Sequence, residues 1–227
     1  MKIGFFGDSL TQALPGVNYV DRVRAMLPDD TIHNYGKAGD TVITVDRRIR
    51  QIKIDEPLDI AVIWIGVNEV LRDVSPLYPF YNRLMGVPRT QSAEEFRAVY
   101  TELLDYLGGR ATRLIAAPPV FIGEDLDNSY CRRLAKLAAI EKELIEARAD
   151  ADFVDLADVY RRELDGNPIS DYLPDNPLRI LLDAGLSDAR LDQLSARRGL
   201  HVTIDGVHLN SVGARLAAEE FAEAIKN

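Results

Sequence analysis

The segment Ile204-Asp205-Gly206-Val207-His208-Leu209-Asn210 places a carboxylate three residues ahead of an imidazole, just before a stretch with helical periodicity. At that spacing the carboxylate can reach the imidazole Nδ1–H and fix the tautomer that leaves Nε2 free as a base. This is the orienting task of the aspartate in a Ser–His–Asp arrangement. Near the other end of the chain, Gly7-Asp8-Ser9-Leu10-Thr11 puts a hydroxyl where an apolar run turns toward a helix. Gly66-Val67-Asn68-Glu69 follows the most apolar run, and the Asn68 amide could donate to a developing oxyanion. Asn34-Tyr35-Gly36-Lys37-Ala38-Gly39-Asp40-Thr41 supplies glycines that let backbone N–H groups turn toward a ligand. Taken singly, each has a plainer reading. Asp8 and Ser9 are ordinary turn and cap residues, Asp40 or Thr41 a helix N-cap, Asn68 a loop cap. Of the three histidines, His33 falls in a predicted strand and His201 in a long connection, so both read as structural or solvated.

Positioning these groups together is work for a sheet edge. Strands are predicted over 2–6, 31–34, 59–65, 112–117 and 152–156, and helices over 18–27, 41–50, 92–107, 127–148 and 211–226. The run Ile60-Ala61-Val62-Ile63-Trp64-Ile65 is continuously apolar, as a strand buried on both faces should be. The third helix is the clearest. Ser92 and Glu95 form a capping box, Phe96, Val99, Tyr100, Leu103 and Leu107 repeat on one face, and Gly108-Gly109 ends it. Short apolar runs alternating with amphipathic ones predict an α/β fold with a parallel sheet covered by helices. In such sheets ligands bind at the carboxyl ends of the strands, and the Ser, Gly, Asn and Asp-x-x-His segments all fall there or just before the last helix.

Two connections are long, 70–91 and 161–202, the second with a short helix predicted near 187–198. In the first, Tyr78, Phe80 and Tyr81 could line an acyl or aryl pocket or pack on the sheet. Arg72, Arg83 and Arg89 could hold an anionic headgroup or be solvated.

Composition narrows the partners. The 227 residues carry 27 Lys and Arg against 36 Asp and Glu, a net charge of −9, which argues against nucleic acid. Cys131 is the sole cysteine, so neither an internal disulfide nor a cysteine metal cage is available. The longest apolar run, Ile60 to Val67, falls well short of the roughly 20 residues of a membrane span. The first residues are cut by Gly7 and Asp8 too early for a secretory signal, so a cytoplasmic protein is expected. No repeat or composition shift marks a boundary, and a single domain over 1–227 is expected, with rim insertions near 70–91 and 161–202.

The ordered set Gly7-Asp8-Ser9-Leu10, Gly39, Gly66-Val67-Asn68 and Asp205-Gly206-Val207-His208 resembles the GDSL family of hydrolases, also called the SGNH superfamily. The resemblance runs from residue 2 to the final helix. It implies a flavodoxin-like three-layer α/β/α sandwich with five parallel strands, and a serine esterase or lipase acting on a small-molecule ester or thioester. In that reading Ser9 is the nucleophile, His208 the general base and Asp205 its orienter. The oxyanion hole comprises the backbone N–H groups of Ser9 and Gly39 and the Asn68 amide. No cofactor is implied, and oligomeric state is left open. One departure is visible: the third block usually reads Gly-x-Asn-Asp, and here Glu69 stands in the last place, which bears on loop geometry rather than chemistry. The chain has no Gly-x-Ser-x-Gly elbow, which speaks against the α/β-hydrolase family. Two further readings fit the same residues. Asp8, Asn68, Glu69, Asp205 and His208 could surround a divalent metal in a phosphoesterase-like site. Alternatively, the fold could serve as an inactive carbohydrate-binding module.

Overall fold

The computed structural model describes residues 1–52, 54, 57–78 and 86–227. Five strands, β1 (Lys2–Gly7), β2 (Thr31–Gly36), β3 (Leu58–Trp64), β4 (Ala111–Ala117) and β5 (Ala151–Phe153), form one parallel sheet in the order β2-β1-β3-β4-β5. This is the flavodoxin-like order, and its switch point lies between β1 and β3. The register brings Gly7 level with both Gly36 and Trp64, so β2, β1 and β3 end at one height. Whatever follows them starts from a common edge.

Alternation along the strands divides the core into two layers. Ile3, Phe5, Ile60, Val62 and Trp64 face one side, where Tyr19 and Phe221 stack at 5.4 Å beside the Trp64 ring. That layer is covered by α2 (Tyr19–Met26), α7 (Leu156–Leu164) and α10 (Ser211–Lys226), with the Tyr160 hydroxyl donating to the Gly213 carbonyl at 2.9 Å. Phe6, Ala61 and Ile63 face the other side, against α3 (Val42–Ile49), α5 (Ala93–Gly108) and the end of α6 (Ser129–Glu146). Two short helices follow strand ends directly: α1 (Ser9–Gln12) after β1 and α4 (Val67–Leu71) after β3.

The structure corrects the predicted elements at the last strand. It ends at Phe153, and Leu156 opens α7, because the Asp155 side chain accepts from the Asp158 N–H and caps a helix there. The long connection 161–202 holds two helices, α8 (Pro177–Asp183) and α9 (Asp188–Arg197), where one was expected. Among the described residues no helix is long and apolar enough to cross a membrane. Phe80 and Tyr81, and with them Arg83, lie outside the described residues.

Candidate active site

Ser9 owes its place to the turn that leaves β1. A Cβ on Gly7 would sit 2.3 Å from the Trp64 carbonyl oxygen and 2.2 Å from Thr11 Oγ1, so only glycine lets β1 pass this close to β3 and α1. Asp8 then caps α1, its carboxylate accepting from the Leu10 N–H at 3.0 Å. Ser9 occupies the first helical position, where backbone N–H groups have no intrahelical partner.

His208 is held from the opposite end of the chain. Its Nε2 lies 2.9 Å from Ser9 Oγ and its Nδ1 2.7 Å from Asp205 Oδ2. The other carboxylate oxygen, Asp205 Oδ1, accepts from the Val207 and His208 N–H groups at 3.0 and 2.8 Å, which locks the three-residue spacing. Between them Gly206 takes a φ of +88° with its backbone pressed on Gly123, whose N–H donates to the Gly206 carbonyl at 2.8 Å. All three side chains are buried. Burial works against the imidazolium, yet the charge and hydrogen bond of Asp205, with help from Asp8, raise the His208 pKa above its usual 6.5. Burial likewise opposes the Asp205 carboxylate, and the His208 charge and hydrogen bonds lower its pKa below the usual value.

Gly39 and Asn68 reach the same edge from β2 and β3. Gly39 has a φ of +80° with nothing crowding it, so glycine is required here for its backbone conformation rather than for space. Its loop is tied down by Gln12, whose side chain accepts from the Ala38 N–H at 2.6 Å, and by Arg48, which donates to Asp40 and to the Tyr35 carbonyl, both at 2.8 Å. The Asn68 amide donates to the Asp40 carbonyl at 2.9 Å and makes a longer contact of 3.4 Å to Asp8 Oδ2. Burial pushes the Asp8 carboxyl up to about 7, against the Leu10 N–H and the His208 charge, which pull it down.

These groups line one cleft of about 170 Å³, whose wall includes Ser9, Gly39, Asn68 and His208. The same cleft is also lined by Leu14, Pro15, Leu71, Arg72, Tyr78, Pro177 and Ile180. Tyr78 is therefore in the cleft, and its hydroxyl donates to the Pro174 carbonyl at 2.5 Å, linking the two long connections. The other histidines lie elsewhere: His33 stacks beside Tyr35 on β2, and His201 Nε2 lies 3.1 Å from the Pro168 carbonyl.

Two acids support this edge without touching the cleft. Glu69 is buried, accepting from the Val42 N–H at 2.9 Å and from the Thr90 N–H and hydroxyl at 3.0 and 2.9 Å. It therefore joins the start of α3, just after the Gly39 loop, to the helix that bears Asn68. Burial raises its pKa. Glu124 was not singled out in the sequence. Its Oε1 accepts from Val202 and Thr203 N–H and from Thr203 Oγ1 at 2.9, 2.8 and 2.7 Å, and its Oε2 from His201 N–H at 2.7 Å. Thr203 Oγ1 in turn accepts from Gly206 N–H at 3.0 Å, so Glu124 fixes the approach to the Asp205–His208 turn. In the sequence Glu124 shows only as an acid in a loop after β4, with its partners more than 70 residues away.

Comparison with known proteins follows the same line. Comparison with the curated proteins returns no sequence match. Among solved structures, the acetyl xylan esterase AlAXEase superposes with a TM-score of 0.69 at 20% identity, over 99% of this chain and 100% of that one. Axe2, an acetylxylan esterase from Geobacillus stearothermophilus, superposes with a TM-score of 0.70 at 21% identity, over 100% and 94%. LAE5, described as an alpha/beta hydrolase enzyme from the metagenome of Lake Arreo, Spain, gives 0.71 at 20% identity, over 99% and 94%. At such identities these likenesses speak for the fold. A family model matches residues 5–216, a span that takes in all four motif segments, and the chain belongs to the GDSL-like lipase/acylhydrolase family.

Proposed function

We propose that this protein hydrolyses carboxylic esters or thioesters of a small acyl substrate through an acyl-enzyme on Ser9. The observation that carries the reading is the unbroken chain Asp205 Oδ2–His208 Nδ1 at 2.7 Å and His208 Nε2–Ser9 Oγ at 2.9 Å, opening on the cleft. With Nδ1–H donated to Asp205, the imidazole presents its Nε2 lone pair to the serine hydroxyl. Ser9 Oγ adds to the carbonyl carbon while His208 takes its proton, and the tetrahedral oxyanion forms beside the Ser9 and Gly39 N–H groups and the Asn68 amide. His208 then gives the proton to the departing alcohol or thiol. Water adds to the acyl-enzyme by the same route, releasing the acid and restoring the serine. The reading treats 1–227 as one hydrolase domain, because nucleophile and base come from opposite ends of the chain.

The metal-centred alternative would need Glu69 beside His208, but that carboxylate is committed to Val42 and Thr90. Apart from Arg72, the wall favours the hydrocarbon of a small ester over an acetylated sugar. Leu14, Pro15, Leu71, Pro177 and Ile180 offer hydrocarbon where a sugar would need donors and acceptors.

The test is labelling with a fluorophosphonate followed by peptide mapping, alongside turnover of an aryl ester series of increasing acyl length. Label on Ser9, and a loss of about 10⁴-fold or more in Ser9→Ala, are expected. Undiminished turnover in Ser9→Ala would overturn the reading.

A further inference from the structure

Arg72 stands in the cleft wall with its charge unmatched. Among the described residues lining the cleft it is the only permanently charged side chain. It is half-buried, and its one hydrogen bond among the described residues runs from Nη2 to the Val87 carbonyl at 2.6 Å. A guanidinium has five donors, so most of its capacity is left over. No carboxylate among the described residues lies within ion-pair distance of it, although neighbouring arginines are paired. Arg89 and Arg133 share Asp73 at 3.0 and 2.5 Å, and Arg48 and Arg198 hold Asp40 and Asp183 at 2.8 and 3.0 Å. Withdrawing a cation from water without a counter-charge is costly, and a guanidinium does not escape that cost by losing its proton. The nearby acids relieve it only in part: Glu69 and Asp73 favour the cation through their charge, but burial and Arg89 outweigh them. Neither acid pairs with Arg72, Asp73 serving the other two arginines and Glu69 being bound to Val42 and Thr90.

Its position relates this charge to the reacting centre. Asn68 lies in the first turn of α4 and Arg72, four residues on, is its C-cap in helical conformation, so the two share a face about one turn apart, and both line the cleft. An anion held by Arg72 therefore lies a few bonds from a carbonyl held at Asn68.

Resting on the serine-hydrolase reading for the location of that carbonyl, we infer that Arg72 is a specificity residue selecting esters with a carboxylate group close to the scissile carbonyl. A carboxylate can sit on the acyl or the alcohol side, and both present the same planar pair of oxygens to the guanidinium fork.

The experiment separates charge recognition from turnover. The full-length Ser9→Ala chain is titrated calorimetrically with monomethyl glutarate against methyl pentanoate (charge on the acyl side), and with acetoxyacetate against methoxyethyl acetate (charge on the alcohol side). At least one anionic ester is expected to bind about 10- to 100-fold more tightly than its neutral counterpart, with the preference lost in Ser9→Ala/Arg72→Gln and partly kept in Ser9→Ala/Arg72→Lys. The same ratio should appear in kcat/KM of the active chain and collapse in Arg72→Gln. Equal binding of both members of each pair would overturn the inference, and so would an Arg72→Gln loss that falls equally on neutral and anionic esters, the mark of a strap to Val87. Turnover surviving Ser9→Ala would instead strike the acyl-enzyme mechanism and leave the binding ratio to decide Arg72.

Discussion

The floor of the cleft and its roof are built by different physics. The floor consists of strand ends: Gly7, Gly36 and Trp64 are level in the sheet, and Ser9, Gly39 and Asn68 follow within a few residues of them. Its side chains are fixed by directional hydrogen bonds, some to near neighbours, as with Asp8 on Leu10 and Asp205 on Val207 and His208, and others across the fold, as with Asn68 on Asp40 and His208 on Ser9. The roof comes from the two long connections, through Leu71 and Tyr78 on one side and Pro177 and Ile180 on the other, and is mostly hydrocarbon. Apolar contact is non-directional, so the roof excludes water and measures size, whereas the floor must place individual hydrogen atoms. In this fold a substitution in the floor should therefore act on kcat and one in the roof on KM.

The sharpest way to break that division within the floor, after the serine itself, is Asn68→Ala. The Asn68 amide has one strong partner, the Asp40 carbonyl at 2.9 Å, and its contact to Asp8 is long at 3.4 Å, so one hydrogen is available to an oxyanion. Losing such a donor should lower kcat by about 10²–10³-fold while thermal stability stays close to that of the wild type. A preserved kcat with a model ester would remove Asn68 from the oxyanion site. Ile180→Ala probes the roof. It withdraws a part-buried side chain from the wall and should raise KM for a medium-chain ester about 5-fold, on the scale of one or two methylenes of lost burial, with kcat unchanged. A fall in kcat equal to the rise in KM would show that roof and floor do not act separately.

The same division explains what the sequence made readable. The sheet was legible because strand burial writes itself into runs such as Ile60 to Ile65, and the floor because each of its residues follows such a run. The short helix Pro177–Asp183 had no full amphipathic period to betray it. The apolar run Val154 to Leu156 read as strand because the Asp155 cap that redirects it is a single residue. Glu124 and Glu69 were opaque for another reason. Each satisfies backbone N–H groups brought near by tertiary structure, 77–79 residues away for Glu124 and 21–27 for Glu69, and no local pattern encodes such a meeting. At Glu69 the departure from the usual aspartate now has a structural counterpart: its carboxylate joins Val42 to Thr90 beneath the Asn68 helix.

The smallest expected effect concerns how the floor responds to pH, and it rests on Asp8. As a base His208 must be neutral, and its pKa stands above 6.5, so the acid limb of kcat/KM should have its midpoint above that value. Asp8 contributes to this elevation through its charge. Asp8→Asn removes the charge but keeps a side chain able to cap Leu10, so the limb should move toward lower pH with kcat on the plateau nearly retained. Stability moves independently. In the folded chain the Asp8 carboxyl keeps its proton up to about 7, against 3.8 ordinarily, so burial favours the acid form. The folded state then binds the proton more tightly than the unfolded chain, and this contribution is greatest below 3.8 and declines as pH rises toward about 7. The carboxylate that sustains the base is thus itself a liability at the pH where the base works. As pH rises from 3.8 to about 7, the melting temperature of Asp8→Asn should rise relative to that of the wild type. An acid limb that stays in place in this variant would mean that Asp8 does not help set the His208 pKa, and that the Gly7–Leu10 segment acts on His208 through the Ser9 hydroxyl rather than through charge.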